Sequence, residues 1–270
     1  MVELDRKRTE HSIMPNKRIC PLHHAAMVAG CLALAGCGGG ATGLGLNLVS
    51  QEQLADLGQQ DWQRLVATTR PSGTPSYQRR AEEVSTRLLQ AAGLDARQWE
   101  VRVFEGDEAN AFALPGQKIG VYEGLFGYAK NDAQLAAVIG HEIAHNLEAH
   151  AAERVSTQMA SEAGAGIVGA ALGAGGVPGG QQIAAALGTG ARYGLILPYS
   201  RNQELEADRI GLMMMARAGY DPREAVNLWS NMRKNGTQPP VFLSTHPGID
   251  DRIGQLNRLM PEALSVYAPK

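Results

Sequence analysis

The chain has 270 residues, with 25 Lys and Arg against 27 Asp and Glu and a net charge of −2. A near-neutral surface gives no electrostatic case for binding nucleic acid. Apolar residues make up 44% of the chain, and no internal repeat is visible, so the length suits one domain with a sizeable core.

The N-terminus reads as a targeting segment. Lys17 and Arg18 precede an apolar stretch from Ala25 to Ala35, which ends Leu34-Ala35-Gly36-Cys37. A basic region, a short apolar core and small residues before a cut describe a secretory signal over residues 1–36. Met14 as the start would give a signal of ordinary length, and the apolar run is too short to span a bilayer. Cleavage before Cys37 removes Cys20 and Cys31, so the mature chain has no disulfide and no cysteine ligand for a metal. Residues 37–49, with Gly38-Gly39-Gly40, then form a flexible tether, and residues 50–270 form the domain.

Helices are expected over Ser50–Val66 and Ser76–Ala92. Strands are expected over Gln98–Phe104, Ala109–Leu114 and Lys118–Tyr122, around turns with Gly106 and Pro115-Gly116. Asn131, with Gln134 three residues on, reads as a capping box. It opens a helix whose apolar residues Leu135, Val138, Ile139, Ile143 and Leu147 recur at helical spacing.

That helix carries His141-Glu142-Ile143-Ala144-His145. One turn apart, His141 and His145 can bind one metal ion, and imidazole donors favour zinc. Glu142 lies about 100° round the helix, beside the ion, where it can take a proton from water. The helix is almost uncharged, which opposes a reading as a surface helix with two histidines. His150 would fall about 140° off this face on a continuing helix, so it is read as a non-ligand.

The uncharged stretch Ala163–Ala191 is read as two short helices broken at Gly175–Gly180, either a lid over the cleft or a plain connector. Ser200 and Gln203 form a second capping box. In the helix it starts, Glu204 and Asp208 share a face, with Glu204 expected as third ligand and Asp208 as hydrogen-bond partner of a ligand histidine. Glu206 is the rival ligand, about 200° away. Further helices follow from Pro222, capped by Asp221, and from Ile249 to Leu259. The fold class is α+β, mostly helical, with a small sheet beside the metal helix.

These motifs, in this order, resemble the HtpX/CAAX-protease family of zinc metalloendopeptidases, in its periplasmic BepA-like and LoiP-like branch. The resemblance covers roughly residues 50–260. It rests on Asn110-Ala111-Phe112-Ala113-Leu114-Pro115-Gly116, the His141/Glu142/His145 helix, Glu204-x-x-x-Asp208, and Ser244-Thr245-His246-Pro247 followed by Arg252. It implies a zincin-like fold and peptide-bond hydrolysis. It implies a substrate strand at Asn110, Ala111 and Phe112. It places His246 near the metal, either as a fourth ligand that shuts the site or as a stabiliser of the tetrahedral intermediate. Arg252 would stabilise oxyanion charge or hold a carboxylate. The Leu-Ala-Gly-Cys ending resembles a bacterial lipobox, which implies lipidation of Cys37 and an anchor on the periplasmic face of the outer membrane. Substrates would be unfolded or misassembled envelope polypeptides. The outer-membrane assembly machinery is a further candidate partner, although no tetratricopeptide array follows the domain. The competing functional class is a non-proteolytic assembly factor with its zinc capped by His246; a purely structural lipoprotein would leave Glu142 without purpose.

Overall fold

The computed structural model describes residues 49–157, 199–234 and 241–269. The signal segment, Cys37, the glycine tether and Ala163–Ala191 lie outside the described residues. Among the described residues, no helix is long and apolar enough to cross a membrane.

The first two helices, α1 (Gln51–Thr68) and α2 (Pro75–Ala91), precede a three-stranded sheet of β1 (Glu100–Phe104), β2 (Ala111–Leu114) and β3 (Lys118–Tyr122). The central strand is β3, parallel to β1 and antiparallel to β2. β2 is therefore an edge strand. In its register Asn110 accepts from the Tyr122 N–H, so the alternate residues Phe112 and Leu114 also face β3. The backbone groups of Ala111 and Ala113 point to the outer edge.

Then come α3 (Asp132–Leu147), α4 (Arg201–Arg217), α5 (Arg223–Lys234), the short α6 (Val241–Thr245) and α7 (Ile249–Val266). Every residue of α3 from Gln134 to His145 is buried, because α2, α4, α5 and β2 all pack against it. The main core runs through Leu135, Val138 and Ile139 to Met215, Leu228 and Leu256. A mostly helical domain with a small sheet is what the residue pattern predicts.

Local details differ from the expected ones for identifiable reasons. Asn131 caps α3 by accepting from the Gln134 N–H at 2.8 Å, but the Gln134 carbonyl oxygen accepts from Lys130 N, and its amide nitrogen donates to Glu224. The box thus closes one residue early and ties α3 to α5. The Ser200–Gln203 box forms in full. α7 continues through Pro261 to Val266, because its last turns bury Ala263 against the core.

The helices α3 and α4 meet at Gly140 and Gly211. A Cβ on Gly211 would lie 2.9 Å from the backbone C of Gly140 and the backbone N of His141. Only glycine permits this approach, and it sets how near α4 can bring its acidic side chains to the α3 histidines.

Candidate metal centre

The approach at Gly140 and Gly211 brings Glu204 to His141 and His145, and the end of α6 adds His246. All are buried, and one donor atom from each lies within 4.8 Å of all the others. His141 Nε2 is 3.0 Å from His145 Nε2 and 3.2 Å from His246 Nδ1. The Glu204 oxygens lie 3.4 Å from His141 Nε2, 3.4 Å from His145 Nε2 and 3.0 Å from His246 Nδ1. A tetrahedral zinc ion with bonds of about 2.0–2.1 Å has ligand–ligand edges of about 3.4 Å. The donor set and its spacing therefore fit such an ion.

Glu142, Glu204 and Asp208 are buried beside one buried arginine, Arg252, a setting in which any ionised carboxylate needs a cationic partner.

Arg252 holds the back of the cluster. Its Nε and Nη2 grip Asp208 Oδ2 and Oδ1 at 2.7 Å each, its Nη1 is 2.8 Å from Glu204 Oε2, and its plane lies over Trp229. Asp208 Oδ1 is also 3.0 Å from His141 Nδ1. Of the two expected placements for Arg252, it takes the one on carboxylates. Burial opposes ionisation of Glu204, yet His246, Arg252 and His141 hold its carboxyl far below the usual range. Burial would lower His141, but Glu204 and Asp208 outweigh it and raise the imidazole to about 9. Burial takes His246 down to about 4.

Glu142 stands beside the donors. Its Oε2 accepts the outward N–H of Ala113 at 3.0 Å, and its Oε1 lies 3.3 Å from His246 Nε2. Burial, the leading cause, pushes its carboxyl up to about 7. Asn110, Ala111 and Phe112 line a cavity of about 160 Å³ with Glu142, Tyr199 and His246.

Several contributors carry no motif signal. Tyr199 stacks on His145 with ring centroids 3.6 Å apart, and Phe242 stacks on His246 at 4.0 Å. His246 sits at the end of α6, an element absent from the expected set, with its N–H on the Phe242 carbonyl. His150 also reaches the cluster. α3 ends at Leu147, and Ala149 takes φ 55°, so the chain turns and returns His150 to within 2.8 Å of His145 Nδ1. It remains a non-ligand, but the expected continuous helix is wrong. The signal available was the Glu148-Ala149 helix end, which has no glycine to mark it.

A helix offering paired imidazoles and a carboxylate, completed by a glutamate from a second helix and flanked by an edge strand, defines a metallopeptidase-type site. Residues 75–260 match Peptidase family M48, and the chain belongs to that family. M48 peptidases are metal-dependent. Among curated relatives, the chain is 36% identical over 195 residues to the mitochondrial metalloendopeptidase OMA1 of Schizosaccharomyces pombe, covering 70% of this chain and 56% of that protein. It is 38% identical over 178 residues to the mitochondrial metalloendopeptidase OMA1 of Arabidopsis thaliana, covering 64% of this chain and 34% of that protein. It is 34% identical over 158 residues to the beta-barrel assembly-enhancing protease of Escherichia coli K12, covering 56% of this chain and 32% of that protein. The chain thus spans about half, or less, of these relatives' lengths.

The comparisons correct the expected address. The outer-membrane, periplasmic placement rested on the N-terminal signal pattern, its Leu-Ala-Gly-Cys ending and the resemblance to a periplasmic branch, whereas the mitochondrial enzymes of eukaryotes align over up to 195 residues. A short N-terminal pattern carries far less information than such an alignment.

Proposed function

We propose that this chain is a zinc-dependent metalloendopeptidase that cleaves extended segments of unfolded or misassembled polypeptides, and that His246 closes the site at rest. The observation that carries this reading is the position of Glu142, beside four metal-suited donor atoms and hydrogen-bonded to the edge strand at Ala113.

His141, His145 and Glu204 would hold the ion. When bound, it supplies Lewis-acid chemistry, polarising the scissile carbonyl and acidifying water. The remaining steps belong to side chains. Burial holds the Glu142 carboxyl above the usual carboxylate range, and from its place beside the donor atoms Glu142 takes the proton of the attacking water and returns it to the leaving amine. The Ala113 N–H fixes one oxygen and leaves the other to move the proton. Arg252 and Asp208 act from behind, orienting Glu204 and His141.

The outward groups of Ala111 and the carbonyl of Ala113 suit pairing with a substrate strand, which reads backbone rather than sequence. Such unselective pairing calls for restraint. His246 Nδ1, at 3.0 Å from Glu204 and 3.2 Å from His141, occupies the fourth corner of the donor set. It must leave before substrate enters.

The same contact favours a second reading, a binding factor for unfolded chains whose metal stays capped. Cleavage of unfolded casein, with and without a chelator, separates the two. Endopeptidase action predicts chelator-sensitive cleavage that Glu142→Gln abolishes while metal content is kept. Full activity in Glu142→Gln would refute the proposed mechanism, and absence of any cleavage by the wild type would favour the binding factor.

A further inference from the structure

The acidic residues on α4 each reach a different part of the cluster. Glu204 belongs to the donor set, and Asp208 accepts from His141 Nδ1 at 3.0 Å. Glu206 lies between them in sequence, faces another way, and has its Oε2 3.3 Å from His150 Nε2. His150 Nδ1 in turn is 2.8 Å from His145 Nδ1. His150 is 2% exposed, so its ring nitrogens have little access to water. The proposed function leaves both Glu206 and His150 without a role.

The chemistry of His145 sets the direction of this chain of contacts. Its Nε2 faces the donor set, so a metal there requires the lone pair on Nε2 and the proton on Nδ1. That proton meets His150 Nδ1, which must accept. His150 then carries its own proton on Nε2, facing the Glu206 carboxylate. The tautomers of both rings are thus fixed by one acceptor at the far end. Ligand histidines ordinarily donate their second N–H to a carboxylate, carbonyl or water. His141 follows that pattern directly through Asp208.

We infer that His150 and Glu206 are positioning residues for the metal site, forming a carboxylate–imidazole–imidazole relay that sets the tautomer and ring orientation of His145. This inference rests on the reading of His145 as a ligand. Local structure supports the relay from both ends. The positive φ of Ala149 turns His150 back toward His145. The helical stretch 150–157 is tied to α4 by Gln203, whose amide donates to Glu153 at 2.7 Å. Tyr199 stacks on the His145 ring and limits its rotation about the same axis.

The relay has a signature that mere packing lacks. Glu206 acts only through His150, so the two substitutions should not add. Zinc and cobalt affinities of the whole chain are measured by chelator competition, alongside the thermal midpoints of the metal-free forms. His150→Ala should weaken zinc binding about 10–100-fold, as losses of such partners do. Glu206→Gln should weaken it less. The double variant should match His150→Ala. His150→Asn, which keeps an acceptor near the Nδ1 position, should recover much of the affinity and the cobalt absorption spectrum of the wild type.

Zinc affinity within twofold of wild type in His150→Ala would overturn the relay. So would a Glu206→Gln loss that persists undiminished in the His150→Ala background. Equal losses in His150→Ala and His150→Asn, accompanied by matching falls in metal-free thermal midpoint, would also overturn it. His145→Ala separates the two levels of the argument. Metal loss in His145→Ala with normal binding in His150→Ala removes the relay and leaves the site standing. Normal binding in His145→Ala removes the site itself.

Discussion

Replacing Gly211 with alanine tests how the metal centre is assembled. The added Cβ would lie 2.9 Å from the backbone C of Gly140 and the backbone N of His141, atoms that cannot swing away as the end of a side chain can. Carbon contacts settle at about 3.5 Å, so α3 and α4 must separate by about 0.6 Å. Overpacking of this kind costs about 1–3 kcal/mol. Alanine regains about 1 kcal/mol of helix propensity over glycine. The net loss is about 1 kcal/mol, or about 2–4 °C in Tm. Function should suffer more than stability. Glu204 lies two turns from Gly211 on the same face of α4, so the separation draws its carboxylate away from His141 and His145. Zinc affinity, by chelator competition, should fall about 10–100-fold, the scale of a misplaced ligand shell. Gly140→Ala is the control. Its Cβ would meet the Gly211 carbonyl oxygen at 3.3 Å, a contact that small shifts relieve. It should bind zinc nearly normally. Wild-type zinc affinity with an unchanged or raised Tm in Gly211→Ala would refute the claim that this crossing sets the site.

Two further outcomes follow from the buried charges and from His246. Arg252→Met should destabilise the metal-free protein by about 3–5 kcal/mol, because Glu204 and Asp208 would keep buried charge without their partner; chemical denaturation measures this, and zinc should restore part of the loss. His246→Ala should raise casein cleavage, because the side chain at the fourth corner is removed. A fall on the order of 10²–10³-fold would instead assign His246 to the reaction intermediate, and an unchanged rate would assign it neither role.

Much of the centre could be read from residue order alone. His141, Glu142 and His145 are bound to one helix by spacing, and helical geometry puts both imidazoles on one face wherever that helix packs. Ser200 and Gln203 place Glu204 and Asp208 in the same way, since a capping box is a local structure. The mixed helix-and-strand class follows from the change of apolar period between Gln98 and Leu147. These are short-range facts, settled by dihedral preferences within a few residues.

Other parts depended on contacts between distant segments. No local pattern distinguishes Gly140 and Gly211 from other helical glycines; their meaning lies in a crossing of two helices seventy residues apart in sequence. Arg252 could hold a carboxylate or face an oxyanion until α7 packed against α4 and placed it on Asp208 and Glu204. His150 looked wrongly directed because its angle was counted on an unbroken helix, and the turn at Ala149 is stabilised by packing rather than by a glycine. His246 reaches the cluster only because Phe242 and Trp229 seat the short helix before it. Backbone spacing fixes direction along one element, but only the packing of elements fixes which side chains meet across them, and a metal site of this kind is built across them.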